Sequence, residues 1–228
     1  MRFKSPILSQ SSGSLGGSTF SHNAGGMYMR ARSTPTNPNT SQQQAVRSIV
    51  AQLVNLWSST LTAAQRAAWA SYASSVPLND VFGDPRYRSA INHYVRCNVP
   101  LLQAGGARGD DAPTAFNLGD FTAPTLAVDA TDNELDVTFD ADDDWVAEDD
   151  SVMLVYCSPA KSATINFYKG PYRYAGKIEG DSVTPPSSPA AIALPWPVEA
   201  GQKIFAKISV SRADGRLSSP FRDGAIGA

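Results

Sequence analysis

Lys203-Ile-Phe-Ala-Lys-Ile-Ser-Val-Ser-Arg212 is the stretch that decides the fold. Ile204, Ala206, Ile208 and Val210 alternate with Lys203, Lys207, Ser209 and Ser211. A period of two sends one set to a buried face and the other outward, the pattern of a β-strand. Asp214-Gly215 follows as a tight-turn pair, and a short last strand fits between Leu217 and Phe221.

Upstream the same period recurs. Leu126/Val128, Leu135/Val137/Phe139 and Val152/Leu154/Tyr156 read as half-buried strands. Tyr172–Ile178 and Ala190–Leu194 are weaker candidates. About seven strands in ~105 residues have the size and spacing of an immunoglobulin- or fibronectin-like sandwich over residues 124–228. Pro124 before the first strand and Ala213-Asp-Gly-Arg-Leu-Ser-Ser-Pro220 near the end resemble fibronectin type III modules. The Cys-Trp-Cys core of an antibody domain is missing.

Residues 106–123, rich in Gly, Asp, Ala and Pro, read as a linker. Before them, over 41–105, the period is helical. Val46, Ile49, Val50, Leu53, Val54 and Trp57 form one stripe, which Ser58-Ser59 interrupts. Thr62-Ala-Ala-Gln65 reads as a capping box for a second helix carrying Ala68, Trp69, Tyr72 and Ala73 and stopping before Pro77. A third helix is predicted from Ser89 to about Gln103, ended by Gly105-Gly106. Val46, Ile49, Val50, Leu53, Trp57, Trp69 and Tyr72 are the expected helical core. Asn39 or Thr40 is placed to cap the first helix.

The first 45 residues carry Arg2, Lys4, Arg30 and Arg32 and no Asp or Glu. Gly, Ser, Asn, Gln and Thr dominate. The segment is expected to be an extended arm over residues 1–40 with almost no regular structure. The expected fold class is thus α+β and multidomain: arm, small helical unit, linker and C-terminal sandwich.

Charge is unevenly distributed along the chain. Residues 1–110 hold ten Lys/Arg and three Asp/Glu, a net of +7; residues 111–228 hold nine and eighteen, a net of −9. Such a split suits different partners for the two halves, copies meeting head to tail, or two halves each kept soluble by its own sign. The net charge of −2 is far from the basic balance of a nucleic-acid domain, so an acidic protein surface is the preferred partner of the arginines. No apolar run approaches the ~18 residues of a transmembrane helix. Met1-Arg-Phe-Lys-Ser-Pro-Ile-Leu8 has no sustained apolar core, so it is not read as a signal peptide.

Little catalytic chemistry is visible. Cys97 and Cys157 read as buried free thiols. His93 and Cys97, four apart, could meet on one helix face, but no oxyanion donor or orienting group accompanies them. No phosphate loop, nucleophile elbow or zinc-helix motif occurs. Asp140-Ala-Asp-Asp-Asp144 and Glu148-Asp-Asp150 surround Trp145 as an acidic cluster. It reads as a solvated loop, with Ca²⁺ binding or docking of a basic surface as alternatives. Arg108-Gly109-Asp110 reads as a chance tripeptide. Trp196, within Leu194-Pro-Trp-Pro197, is either an inter-sheet core residue or an exposed interface anchor.

Several segments together resemble a family of tailed-phage and prophage virion-associated proteins with a C-terminal fibronectin type III-like domain. The likeness lies in Gly25-Gly-Met-Tyr-Met-Arg-Ala-Arg32, Pro35-Thr-Asn-Pro-Asn-Thr40, Gln44-Ala-Val-Arg47, Trp57, Leu61-Thr-Ala-Ala-Gln-Arg-Ala-Ala-Trp69, Gly170-Pro-Tyr-Arg173, Thr184-Pro-Pro-Ser-Ser-Pro189 and Arg212-Ala-Asp-Gly-Arg-Leu-Ser-Ser219. The resemblance implies a virion component or assembly factor and carries no activity. The expectation is therefore a non-enzymatic structural protein without cofactor or metal, made in the host bacterial cytoplasm and located in the virion. A capsid cement or decoration protein comes first. A neck, tail or fibre-attachment protein, or a host-surface-binding sandwich module, is the alternative. The expected partners are the major capsid protein or neck and tail proteins, and further copies of the chain; no membrane is involved. Tyr28, Arg30, Arg32, Arg47 and Trp196 are the expected partner-binding residues.

Overall fold

The computed structural model describes residues 12–23, 26–33, 36–80 and 82–228. The architecture is α+β, with three helices and antiparallel strands in several sheets among the described residues. The chain divides into two compact units: residues up to Gln44 with Asn79–Arg86, and Ala45–Leu78 with Tyr87–Ala228.

In the first unit, β1 (Gly13–Leu15), β2 (Ser18–Asn23) and β3 (Gly26–Ala31) form an antiparallel sheet in chain order. Leu15 pairs with Ser18 across Gly16-Gly17, a two-residue connection with Gly16 at φ +55°. Glycine supplies that backbone at no steric cost, and such a turn matches the strand twist. Phe20 pairs with Met29, Ser21 with Tyr28 and Thr19 with Arg30. Paired residues share a face, so Leu15, Phe20, Met27 and Met29 lie on one side and Ser14, Thr19, Tyr28 and Arg30 on the other.

The expectation of an arm without regular structure is corrected over residues 13–31. Met27-Tyr-Met29 alternates, and Gly16-Gly17 can close a hairpin; the surrounding Gly and Ser dilute both signals. Residues 1–11, with Arg2 and Lys4, lie outside the described residues. Two further short strands, β4 (Leu78–Asn79) and β5 (Pro85–Arg86), pair with each other. Between them the Asp80 carboxylate accepts from Phe82 N at 2.8 Å and Asp84 N at 3.2 Å, which holds it below the usual carboxylate range.

The helices are α1 (Ser41–Ser59), α2 (Ala63–Ser75) and α3 (Ala90–Gln103). Thr40 Oγ1 accepts from Gln43 N at 3.3 Å at the start of α1. The capping box at α2 is complete: Gln65 N donates to Thr62 Oγ1 at 3.2 Å and Thr62 N to Gln65 Oε1 at 2.9 Å. At the end of α3 the chain turns through Gly105 at φ +75°, and Gly106 N donates back to Leu101 O at 2.9 Å. This six-to-one bond and the Gly105 N to Leu102 O bond satisfy carbonyls the helix would otherwise leave open.

Two sheets build the rest. β6 (Thr125–Asp129), β7 (Glu134–Thr138) and β11 (Ala190–Ala193) run in the order β11-β7-β6. β8 (Val152–Cys157), β10 (Arg173–Glu179), β12 (Gln202–Ser211) and β13 (Phe221–Ile226) run in the order β10-β8-β12-β13, and β9 (Lys161–Ser162) adds to β12. Between them lie Leu135, Val137, Trp145, Met153, Val155, Ile204, Ile208 and their neighbours, a sandwich-like core.

β8 is buried along its whole length. Met153, Val155 and Cys157 face the other sheet, while Val152, Leu154 and Tyr156 pack with Leu53, Trp69, Tyr72, Tyr94 and Leu217. A strand covered on both faces reads as a continuous apolar run, which is why alternation alone understated it. The segment at 106–123 does not divide this unit, and helices and sheets lie on either side of one strand.

The helical core differs in part from expectation. Leu53, Trp69 and Tyr72 are fully buried, Ile49 and Trp57 pack at the margin, and Val46 and Val50 are outside the cluster. No helix among the described residues is long and apolar enough to cross a membrane.

Candidate functional site

Tyr28 and Arg30, two apart on β3, project from the polar side of the first sheet. Arg30 is exposed and Tyr28 half-buried. Arg32 lies just beyond the strand, its backbone N donating to Gly17 O at 2.7 Å and its side chain exposed. Arg47 is exposed on α1.

Trp196 sits in the loop from β11 to β12. Asn133, in the β6–β7 turn with φ +59°, pins that loop at three points. Its O accepts from Leu194 N at 2.9 Å, its Nδ2 donates to Leu194 O at 3.2 Å and its Oδ1 accepts from Val198 N at 3.0 Å. Trp196 is half-buried, and the Arg173 guanidinium lies 4.9 Å from its ring centre. The sandwich's buried tryptophan is Trp145 instead, 1% exposed and tilted against Phe139. The structure thus brings Tyr28 and Arg30 together on one face of the first unit's sheet, and Trp196 belongs to the second unit.

The His93–Cys97 pair has no catalytic geometry. His93 is 0% exposed, neither ring nitrogen has a hydrogen-bond partner, and its ring stands edge-on to Tyr72 at 5.4 Å. Burial, then the charges of Arg96 and Arg88, lower its pKa to about 4. Burial raises the Cys97 thiol to about 11 and the Cys157 thiol to about 12, so both stay protonated.

A cleft of about 660 Å³ opens between the loop after α3 and the strand ends, lined by Arg108, Asp149, Ser151, Gly180, Asp181 and Arg212 among others. Its polar groups are engaged. Arg108 pairs with Asp110 at 2.6 Å, Arg212 pairs with Glu148, and Ser151 donates to Trp145 O.

The tripeptide Arg108-Gly109-Asp110 is part of a strap laid over the helices. Asn98 grips Gly109 through both amide atoms, Trp69 Nε1 donates to Asp110 O at 2.9 Å and Tyr72 OH to Asn117 O at 2.9 Å. Residues 106–123, expected as a linker, have no regular structure and are anchored to the helices by these bonds.

The acidic loop is likewise built. Asp143 accepts from Thr122 N and Oγ1 at 3.0 and 2.7 Å, and Asp149 from Ser182 N and Oγ at 2.8 and 3.0 Å. No group of three His, Cys, Asp or Glu among the described residues is placed to hold a metal ion.

Sequence reasoning missed a second feature. Odd positions of β12 face the same side as Tyr156, so Lys203, Phe205 and Lys207 line up with Arg222 on β13. Lys207 Nζ lies 4.5 Å from the Tyr156 ring, Lys203 Nζ 5.1 Å from Phe205 and Lys161 Nζ 5.4 Å from Tyr168. Burial, and then the charge of Arg222, lowers the Lys207 pKa. The alternation in Lys203–Arg212 puts Lys203 and Lys207 on one face, but the Tyr156 and Tyr168 rings beside the patch come from other segments of the chain.

No family model matches this sequence, and no curated protein matches it either. Two solved structures show distant likeness. One is a family 76 glycoside hydrolase from a bovine Bacteroides thetaiotaomicron strain, at 14% identity and TM-score 0.32 over 47% of this chain and 20% of that one. The other is the BSP domain of a biofilm associated protein, at 19% identity and TM-score 0.28 over 49% of this chain and 15% of that one. The chain therefore spans a fifth or less of either structure's length, and likeness at these scores carries no argument about fold or function.

Proposed function

We propose that this chain is a structural subunit of a tailed-phage particle, a capsid cement or decoration protein held by its N-terminal sheet. The observation that carries the reading is the sheet itself. Leu15, Phe20 and Met27 share one face, yet none of the described residues between 12 and 40 is buried. A sheet with an apolar face is stable when another layer covers it. On this reading one neighbour in the particle supplies that layer, while Tyr28 and Arg30 on the opposite face, with Arg32 beyond the strand, meet acidic groups of another. Many symmetric copies offset the ordering cost through avidity.

The second unit then displays its sandwich. Three strands in the order β11-β7-β6 against four in the order β10-β8-β12-β13 support an immunoglobulin- or fibronectin-like assignment. The chain crosses between sheets from β7 to β8, β10 to β11 and β11 to β12, as Greek-key connections do.

The experiment is attachment of the full chain and of a chain lacking residues 1–40 to particles stripped of the native protein, with copies per particle counted by electron microscopy. Hundreds of copies of the full chain and none of the truncated one are expected. Six or twelve copies would move the assignment to neck or tail. Full attachment of the truncated chain would overturn the anchoring role.

A further inference from the structure

The four cations Lys161, Lys203, Lys207 and Arg222 lie on the β9-β12-β13 edge, on the face shared with Tyr156; Arg222 is exposed and the three lysines are half-buried. Three of them rest over aromatic rings, and none has a carboxylate within ion-pair distance among the described residues. Such a cluster is unusual in a half of the chain whose net charge is −9, where carboxylates outnumber cations two to one. Two of the three rings beneath are closed to stacking, Tyr156 at 8% and Phe205 at 6% exposed, and Tyr168 is half-buried with one face stacked on Phe205. A base or sugar could not lie flat on Tyr156 or Phe205. What the patch offers is a set of positive charges at fixed positions, with the exposed Phe167 on the loop beside Tyr168.

The same unit carries a matching surface. In the loop between β7 and β8, Asp143, Glu148 and Asp149 are used internally, and Trp145 and Val146 are buried beneath. Asp142 and Asp144 remain on its outside, Asp144 with 86% of its side chain exposed and only a 3.8 Å contact to Arg212. The loop is thus held in shape before any partner arrives, which lowers the ordering cost of binding.

We propose that the patch of Lys161, Lys203, Lys207 and Arg222 docks the 140–150 loop of a second copy of this chain. The two surfaces are different, so the contact is head-to-tail: repeated, it closes into a ring or runs on as a filament. This inference does not depend on where in a particle the chain sits, nor on its N-terminal sheet.

The test uses the purified full chain in sedimentation velocity at about 50 mM and about 500 mM salt, since exposed charge contacts weaken as the Debye length shortens. Association at the lower salt that is lost at the higher is expected. Lys203→Glu/Arg222→Glu and, separately, Asp142→Lys/Asp144→Lys should each weaken association at least tenfold while the circular dichroism spectrum is unchanged. The second pair lies on an exposed loop, so it tests the contact even if the strand variant folds poorly. Mixing the two variants should restore association, because the intact loop of one meets the intact patch of the other. A chain that stays monomeric at low salt and high concentration overturns the proposal. So does association that survives both charge reversals, and so does a patch that loses only an anionic polysaccharide or polynucleotide when reversed.

Discussion

Asn98 closes on Gly109 through both ends of its amide: Nδ2 donates to Gly109 O at 3.0 Å and Oδ1 accepts from Gly109 N at 2.8 Å. One buried side chain on α3 thereby satisfies both backbone groups of a residue that has no strand or helix to pair with. Asn98→Ala should cost ~1–3 kcal/mol, the penalty for leaving buried backbone groups unpaired. Urea unfolding monitored by tryptophan fluorescence measures it; a loss under ~0.5 kcal/mol, typical of an indifferent surface site, would show that the strap holds without Asn98.

Trp69 is 1% exposed and sits edge-on to both Tyr72 and Tyr94. Trp69→Ala should cost ~3–5 kcal/mol, as for other buried large aromatics. Trp69→Phe keeps a ring but orphans Asp110 O, the acceptor of the indole N–H, and should cost less. Equal losses for the two variants would mean that the hydrogen bond, not the packing, dominates.

His93 makes stability fall in acid. Its folded pKa of about 4 lies below the ordinary 6.5, so the unfolded chain takes up a proton first. The stability it contributes is fully present above pH 6.5 and is lost as pH falls towards 4. The loss attributable to this one group is on the order of 1–3 kcal/mol. His93→Phe should flatten that part of the profile between pH 7 and pH 4.5 while retaining an aromatic neighbour for Tyr72. An unaltered slope in the variant would assign the acid sensitivity to carboxylates instead.

Gly180 has no room for a side chain. A Cβ there would lie 2.1 Å from Trp145 O and 2.2 Å from Ser151 Oγ. Gly180→Ala should exceed the ~1–3 kcal/mol of ordinary overpacking and displace the acidic loop. Gly201→Ala is the comparison, since its Cβ meets nothing within 4 Å and only its φ of +80° is strained; ~1–2 kcal/mol is expected there. Equal melting temperatures for the two variants would show that the loop yields at Trp145 at little cost.

Local chemistry was legible in the sequence and long-range chemistry was not. Thr62 and Gln65 are three residues apart, Gly105 and Gly106 follow their helix directly, and Asp214-Gly215 turns within itself, with Gly215 at φ +86°. Each is decided by its immediate neighbours. The anchoring of Asp110 and Asn117 depends on Trp69 and Tyr72, 41 and 45 residues earlier, and composition there shows only Gly, Asp and Pro. The helix-facing side of β8 could have been inferred, because Val152-Met-Leu-Val-Tyr-Cys157 contains no polar break. At the candidate sites, sequence singled out Trp196 but not the guanidinium of Arg173 above it, and saw the lysines of β12 but not the rings they rest on.

β8 has a consequence for how the second unit can be taken apart. Its two faces belong to different layers, so removing the helices would uncover one face of a strand whose other face stays in the sandwich core. A fragment beginning at residue 124 would expose Val152, Leu154, Tyr156 and Leu217 along one stripe, an invitation to aggregate. Cut out at residue 124, the sandwich would carry that uncovered stripe with it. The helices supply the apolar cover that the strand's second face needs.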